Sequence, residues 1–243
     1  MRVCALIPIF DHGATIEKVV SELPPELPCL IVDDGSAEAT REALERVTAA
    51  RANAQLVRRD RNGGKGAALK TGYETARSRG FTHVVQLDAD GQHRAIDVPR
   101  FVAAMRAHPN ALVLGAPEFD ASAPLARIYA RQLSRGLVWL ACLSRVVPDP
   151  LCGFRGVPLV PALAVIASAR TGNWMDFEPE LAVRMVWHGT PIATLPTRVI
   201  YPPDGLSHFS IARDYPRLAS LYVRLLGGMV LRAPELMRRK RIS

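Results

Sequence analysis

Asp88-Ala89-Asp90-Gly91-Gln92 follows directly on the apolar run Val84-Val85-Gln86-Leu87. A buried strand that ends in this way presents two carboxylates and a side-chain amide at a sheet edge. These are hard oxygen ligands, and they suit Mg²⁺ or Mn²⁺ better than zinc. A divalent ion held there would bind a diphosphate, which points to a nucleotide-activated donor. Taken alone, such a pair is more often a solvated acidic turn after a strand. The other polar clusters of the chain favour the metal-ligating reading.

Those clusters each follow a strand. Arg2 to Ile9 reads as a buried strand, then Phe10-Asp11-His12-Gly13 leads to a helix with Thr15 as N-cap candidate and Ile16, Val19, Val20 and Leu23 at helical spacing. Cys29 to Val32 is a strand closed by Asp33-Asp34-Gly35-Ser36, where Ser36 is placed to cap the next helix. Gln55 to Arg58 is a third strand before Asn62-Gly63-Gly64-Lys65-Gly66. Ala67 to Arg79 is helical, and Thr82 to Leu87 is the strand before the paired carboxylates. Nearly continuous apolar strands alternating with helices imply a mostly parallel sheet covered on both faces, an α/β fold. Ligands of such sheets lie beyond the carboxyl ends of the strands, where all four clusters fall.

With 243 residues, 49% of them hydrophobic, the chain can bury a substantial core. Its formal charge of +8 suits anionic partners: phosphorylated substrates, an anionic membrane surface or nucleic acid. Aromatics make up only 6% and no basic helix interleaves with them, which disfavours nucleic acid. Cys4, Cys29, Cys142 and Cys152 have no C-x-x-C spacing and read as reduced core thiols of a cytoplasmic protein. No secretory signal and no apolar run long enough to span a bilayer is evident. Leu218 to Leu231, interrupted by Arg224 and Gly227-Gly228, precedes Arg238-Arg239-Lys240-Arg241. An amphipathic segment with a polybasic tail suits peripheral contact with the cytoplasmic face of a membrane, and equally a last core helix with a solvated tail.

A second half starts near Gly115. Residues 125 to 147 read as a helix carrying Arg127, Arg131 and Arg135 at four-residue spacing, so that one face would hold three guanidiniums. A turn at Asp149-Pro150-Leu151-Cys152-Gly153-Phe154-Arg155 leads into a short strand. Trp174 to Glu178 precedes a helix reaching His188, Ile192 to Ile200 is a further strand, and C-terminal helices follow a loop at Pro202 to Phe209.

These motifs, with Ile7-Pro8-Ile9-Phe10-Asp11 and Gly205-Leu206-Ser207-His208-Phe209, resemble family 2 glycosyltransferases of the GT-A fold, and among them the dolichol- and polyprenyl-phosphate mannose or glucose synthases. The resemblance runs from about Val3 to Phe209. It implies a Rossmann-like GT-A domain over 1–209, with a nucleotide-binding half to about 114 and an acceptor half beyond it, then an amphipathic helical segment and basic tail over 210–243. It places Pro8, Phe10, Asp11, Asp33, Asp34, Lys65, Asp88 and Ala89 around the nucleotide and Asp90 and Gln92 on the metal. It also places Arg155 on the phosphates. By a looser match Arg127, Arg131, Ser134, Arg135, Ser207 and His208 would meet an acceptor. Bland readings stand beside these: a turn and helix cap for Asp33 to Ser36, a flexible turn with a solvated lysine at Lys65, a solvated arginine face on the helix.

The implied reaction is inverting transfer of a sugar from a nucleoside diphosphate to a lipid-linked or other hydrophobic acceptor. A phosphate monoester acceptor, with a second pKa of about 6, needs no catalytic base. A hydroxyl acceptor (pigment, polyene or acyl lipid) needs one, and Asp149 is the candidate, with Asp176 and Glu178 behind it. Asp149 is equally a turn residue before Pro150, while His93 and His208 read as polar loop residues. The chain departs from the polyprenyl-phosphate synthases at Asp11-His12, where they carry Asn-Glu, and at His208, where they carry lysine. Two rivals from other classes are a nucleotidyltransferase, whose glycine-rich signature after the first strand is absent, and a membrane-associated binding protein without turnover.

Overall fold

A computed structural model describes residues 1–119, 125–200 and 210–240, with the side chains of 125–127, 211 and 240 left out. Seven strands form one sheet in the order β3-β2-β1-β4-β6-β5-β7. In chain order they are β1 (Val3–Ile9), β2 (Cys29–Asp33), β3 (Ala54–Arg58), β4 (His83–Gln86), β5 (Leu112–Phe119), β6 (Arg155–Pro158) and β7 (Ile192–Val199). The helices are α1 (Gly13–Ser21), α2 (Glu38–Ala50), α3 (Lys65–Ser78), α4 (Val98–Ala107), α5 (Leu125–Cys142), α6 (Leu159–Ser168), α7 (Phe177–Trp187) and α8 (Ile211–Lys240).

Burial explains the strand sequences. β2, β4 and β6 are buried at every position and β1 at all but its first, so they are largely apolar on both faces, with Asp33, His83, Gln86 and Arg155 as buried polar exceptions. The edge strands β3 and β7 are partly exposed and carry charge or proline. β1 pairs in parallel with β2 over Ala5 to Ile9 but with β4 only over Val3 to Leu6. Pro8, which has no N–H, therefore sits where β4 has already turned away. β6 alone is antiparallel to its neighbours β4 and β5. One core, with Leu6, Tyr73, Phe177 and Leu225, lies on the face covered by α3 and α5 to α8; the other, with Ile7, Ile16, Leu44, Phe101 and Phe154, lies under α1, α2 and α4. The mostly parallel sheet with helices on both faces agrees with the sequence.

Several local expectations are corrected. α1 begins at Gly13 with His12 at the N-cap position, and Thr15 lies inside the first turn, where its hydroxyl donates to the carbonyls of His12 and Ala89. α2 begins at Glu38, and the Ser36 hydroxyl accepts the Asp11 N–H instead of capping it. His93 is a buried ring, tilted 5.5 Å from Phe154, and burial pushes its imidazole down to about 4. Gly115 lies inside β5, so one sheet runs through both halves of the chain. The C-terminal segment is a single helix and not several. Gly227-Gly228 does not interrupt it, because a Cβ on Gly228 would come within 2.7 Å of Trp187; the small residue permits close packing.

α8 shares its core with the rest of the domain: Leu218, Leu221, Tyr222, Leu225 and Leu236 join Val138 and Ala141 of α5 and Leu181 and Met185 of α7. The Trp187 indole N–H donates to the Ala141 carbonyl at 2.9 Å, tying α7 to α5. Leu225→Ala is expected to lower the unfolding free energy by about 2–5 kcal/mol in a urea titration. Leu231→Ala, on the exposed side of the same helix, is expected to change it by less than about 0.5 kcal/mol.

Candidate active site at the carboxyl edge of the sheet

The four polar loops meet beyond the ends of β1, β2, β3 and β4, held by their own acidic residues. Asp11 adopts φ +51°, and its carboxylate accepts the Ala37 N–H at 2.8 Å while its own N–H goes to Ser36. Asp33, buried at the end of β2, accepts the Ser36 N–H through Oδ1 at 2.9 Å; its Oδ2 has no hydrogen bond and lies 3.6 Å from Arg58 Nε. Asp34 accepts N–H groups from Gly63 and Gly64 and the Arg59 Nε–H at 2.7 Å. Burial pushes the Asp34 carboxyl up, against the pull of those donors. Asp34 thus shapes the glycine loop. Gly64, at φ +95°, leaves no room for a Cβ beside Trp174 and the Asn173 carbonyl, so only glycine fits there.

Lys65, the first residue of α3, lies between two carboxylates, with Nζ 2.7 Å from Asp88 Oδ1 and 2.6 Å from Glu178 Oε2. Burial pulls the ammonium's pKa down, and the two carboxylates more than offset this, so it rises above the usual lysine range. Burial likewise pushes Asp88 up, and Lys65 prevails in holding it below the usual range. Glu178 also accepts from Gln86 Nε2 at 2.6 Å, and Gln86 accepts from the Tyr73 hydroxyl at 2.6 Å. A connected polar network therefore runs under the site from α3 through β4 to α7. Of the two further base candidates, Glu178 holds Lys65, and Asp176 accepts the Trp174 N–H in the turn before α7. Sequence reasoning missed the role of Glu178; Gln86, a polar residue inside an apolar strand, was the available signal.

Arg155 corrects another expectation. It is fully buried, and its guanidinium donates to the carbonyls of Cys152, Glu178 and Pro150 at 2.7, 2.8 and 2.6 Å. It braces the turn before β6 and does not face a phosphate. That turn brings Gly153 against Asp88, where a Cβ would come within 2.2 Å of Oδ2.

Ala89 is buried, while Asp90 and Gln92 are partly exposed, and Asp90 Oδ1 accepts the Gln92 N–H at 2.9 Å in a tight turn completed by Gly91 at φ +72°. Among the described residues no three His, Cys, Asp or Glu side chains gather as a metal cage. The donors at hand, the Asp90 carboxylate and the Gln92 amide oxygen, fit a Mg²⁺-like ion that takes its remaining ligands from phosphates and water.

The other expected residues frame a cavity of about 180 Å³ lined by Phe119, Ile128, Arg131, Arg135, Pro148 and Asp149, among others. Arg131 Nη1 lies 2.8 Å from Asp149 Oδ2 and its guanidinium covers the Phe119 ring, while Asp149 Oδ1 accepts the Leu151 N–H at 2.7 Å. Arg135 lines the same cavity with its guanidinium over Trp139. Ser134 does not join them: it is buried. The Arg127 side chain, Ser207 and His208 lie outside the described residues. The Asp149–Gly153 turn spans the two places, with Asp149 at the cavity and Gly153 on Asp88.

Residues 5–140 match the family described as glycosyl transferase family 2. The undecaprenyl-phosphate mannosyltransferase of Micrococcus luteus is 29% identical over 220 residues, covering 86% of this chain and 88% of its own. Among solved structures, glucosyl-3-phosphoglycerate synthase of Mycobacterium tuberculosis, in complex with phosphoglyceric acid, superposes with a TM-score of 0.67 at 19% identity over 93% of this chain and 80% of its own. A mannosyltransferase of Pyrobaculum calidifontis, in complex with GDP-Man and Mn²⁺, gives 0.59 at 19% identity over 84% and 58%. These two likenesses concern the fold. With the match spanning more than half of its length, this chain belongs to glycosyl transferase family 2.

Proposed function

We propose that this protein transfers a sugar, with inversion, from a nucleoside diphosphate to a polyprenyl phosphate at a membrane surface. The observation that carries the reading is the cavity holding Arg131 and Arg135, joined by one turn to the carboxylate site at the end of β4. Two guanidiniums suit a phosphate better than a neutral hydroxyl. The likeness to the Micrococcus luteus enzyme along nearly the whole of both chains supports the same acceptor class.

The chain's own residues divide the work. Asp33 Oδ2, buried and lacking a hydrogen bond, accepts from a base N–H or a ribose hydroxyl, with Pro8, Phe10 and Asp11 beside it. Lys65 keeps Asp88 ionised and fixed, so that Asp88 can receive hydroxyls of the ribose or the sugar. Asp90 and Gln92 hold a divalent cation, which when bound draws off the charge that grows on the diphosphate leaving group. Both Asp149 oxygens are engaged by Arg131 and Leu151, so its role is to aim Arg131 into the cavity. An acceptor phosphate is already anionic near neutral pH, and no proton has to be taken from it.

Asp90→Ala is expected to lower sugar transfer to polyprenyl phosphate at least about a hundredfold with little change in melting temperature. Mn²⁺ together with the matching nucleoside diphosphate should raise the melting temperature of the parent and not of the variant; equal turnover by both would exclude the assignment. Arg135→Ala is expected to raise KM for the polyprenyl phosphate about tenfold or more while KM for the donor stays within about twofold. Lys65→Met strands two buried carboxylates, and calorimetry should show a loss of about 3–5 kcal/mol, of which Lys65→Arg recovers part.

A further inference from the structure

Helices α5 and α8 pack against one another, and each turns an uncharged face away from their shared core. On α5 the exposed positions recur at helical spacing as Tyr129, Leu133, Gly136 and Leu140, joined by Gln132. On α8 they recur as Val223, Gly227, Val230, Pro234 and Met237, with Leu231 alongside at 82% exposure. Eight of the thirteen large hydrophobic side chains exposed among the described residues lie on these two helices. A Cβ on Gly136 or Gly227 would meet nothing, so no other part of the described chain covers the stripes there.

Charge surrounds the apolar stripes. By sequence the two helices carry ten cationic residues against Asp214 and Glu235, a net of +8 that equals the formal charge of the whole chain. The chain has three tryptophans, and each lies under two guanidiniums: Trp139 under Arg135 and Arg145, Trp174 under Arg213 and Arg217, Trp187 under Arg184 and Arg232. Ring faces hold these cations in place at the margins of the helices. No helix among the described residues is long and apolar enough to cross a bilayer. An apolar stripe rimmed by cations on helices too polar to span is the pattern of a surface that lies in the headgroup region.

The geometry points to the joint outer face of α5 and α8 as the docking surface for an anionic phospholipid bilayer, with both helices lying in its plane. Charge complementarity selects this occupant over a second copy of the chain, which would bring together two helix pairs each of net charge +8. The consequence for catalysis rests on the polyprenyl-phosphate reading above: Ile128, Arg131, Gln132 and Arg135 line the cavity from the strip of α5 next to Tyr129, Leu133 and Gly136. An acceptor could then keep its chain in the bilayer while its phosphate enters the cavity.

The test uses the full chain and vesicles without polyprenyl phosphate, so a wrong acceptor assignment leaves the outcome untouched. Phosphatidylglycerol–phosphatidylcholine vesicles should sediment the protein, pure phosphatidylcholine should not, and added salt should release it. The double variant Val230→Glu/Leu231→Glu, and separately Leu140→Glu, should each weaken vesicle binding roughly tenfold or more with unchanged melting temperature. Three results would overturn the inference: a parent that stays in the supernatant with anionic vesicles, variants that sediment like the parent, or ultracentrifugation showing that these substitutions split a dimer while vesicle binding is unaffected.

Discussion

The site depends on one buried ammonium. Lys65 bridges the carboxylates at the end of β4 and at the start of α7, and without it Asp88 and Glu178 would be two like charges in a place with little water. An ion pair removed from solvent contributes through its completeness, because every remaining lone pair must find a donor. Gln86 supplies such a donor to Glu178 from inside the sheet and is itself held by the Tyr73 hydroxyl of α3, which explains a polar side chain where the strand pattern asks for an apolar one. The arrangement joins elements far apart in the chain and fixes the height of Asp88 at the sheet edge.

Several residues whose types suggest ligand contact act instead as braces. Arg155 satisfies two carbonyls of the turn before β6 and a third on α7, and Asp34 gathers the N–H groups of the glycine loop. The physical reason is the same in both. Irregular backbone beneath a binding site is shielded from water, so its polar groups need partners, and a long guanidinium or a short carboxylate provides several at once. On the proposed function, what remains for ligands is a smaller set: Asp33 Oδ2, Asp88, the Asp90 turn and the arginines of α5.

α5 unites the side of the protein proposed to receive the acceptor. Its buried positions pack on α7 and α8, one exposed strip lines the cavity with Arg131 and Arg135, and the next strip is uncharged. A helix with three kinds of face lets a cation site and an apolar surface lie side by side. Such proximity suits an acceptor with an anionic head and a hydrocarbon tail.

From the sequence alone, the strands, the converging loops and the carboxylate-amide set were legible because they depend on local periodicity and on spacing within one turn. Three elements escaped that reading. α6, Leu159–Ser168, has no polar face and so no helical signature; β5 carries Gly115 and Pro117; α4 has Pro99 in its first turn and follows a short 3₁₀ turn at Ala95–Asp97. The roles of Lys65, Glu178, Arg155 and Ser134 were decided only by tertiary structure. Glu178 lies far along the chain from Lys65, and the partners of Arg155 lie on α7 or within a turn whose backbone needs are invisible in the residue letters. Residue type fixed which chemistry each side chain could perform, and the three-dimensional neighbourhood chose between touching a ligand and holding the protein that does.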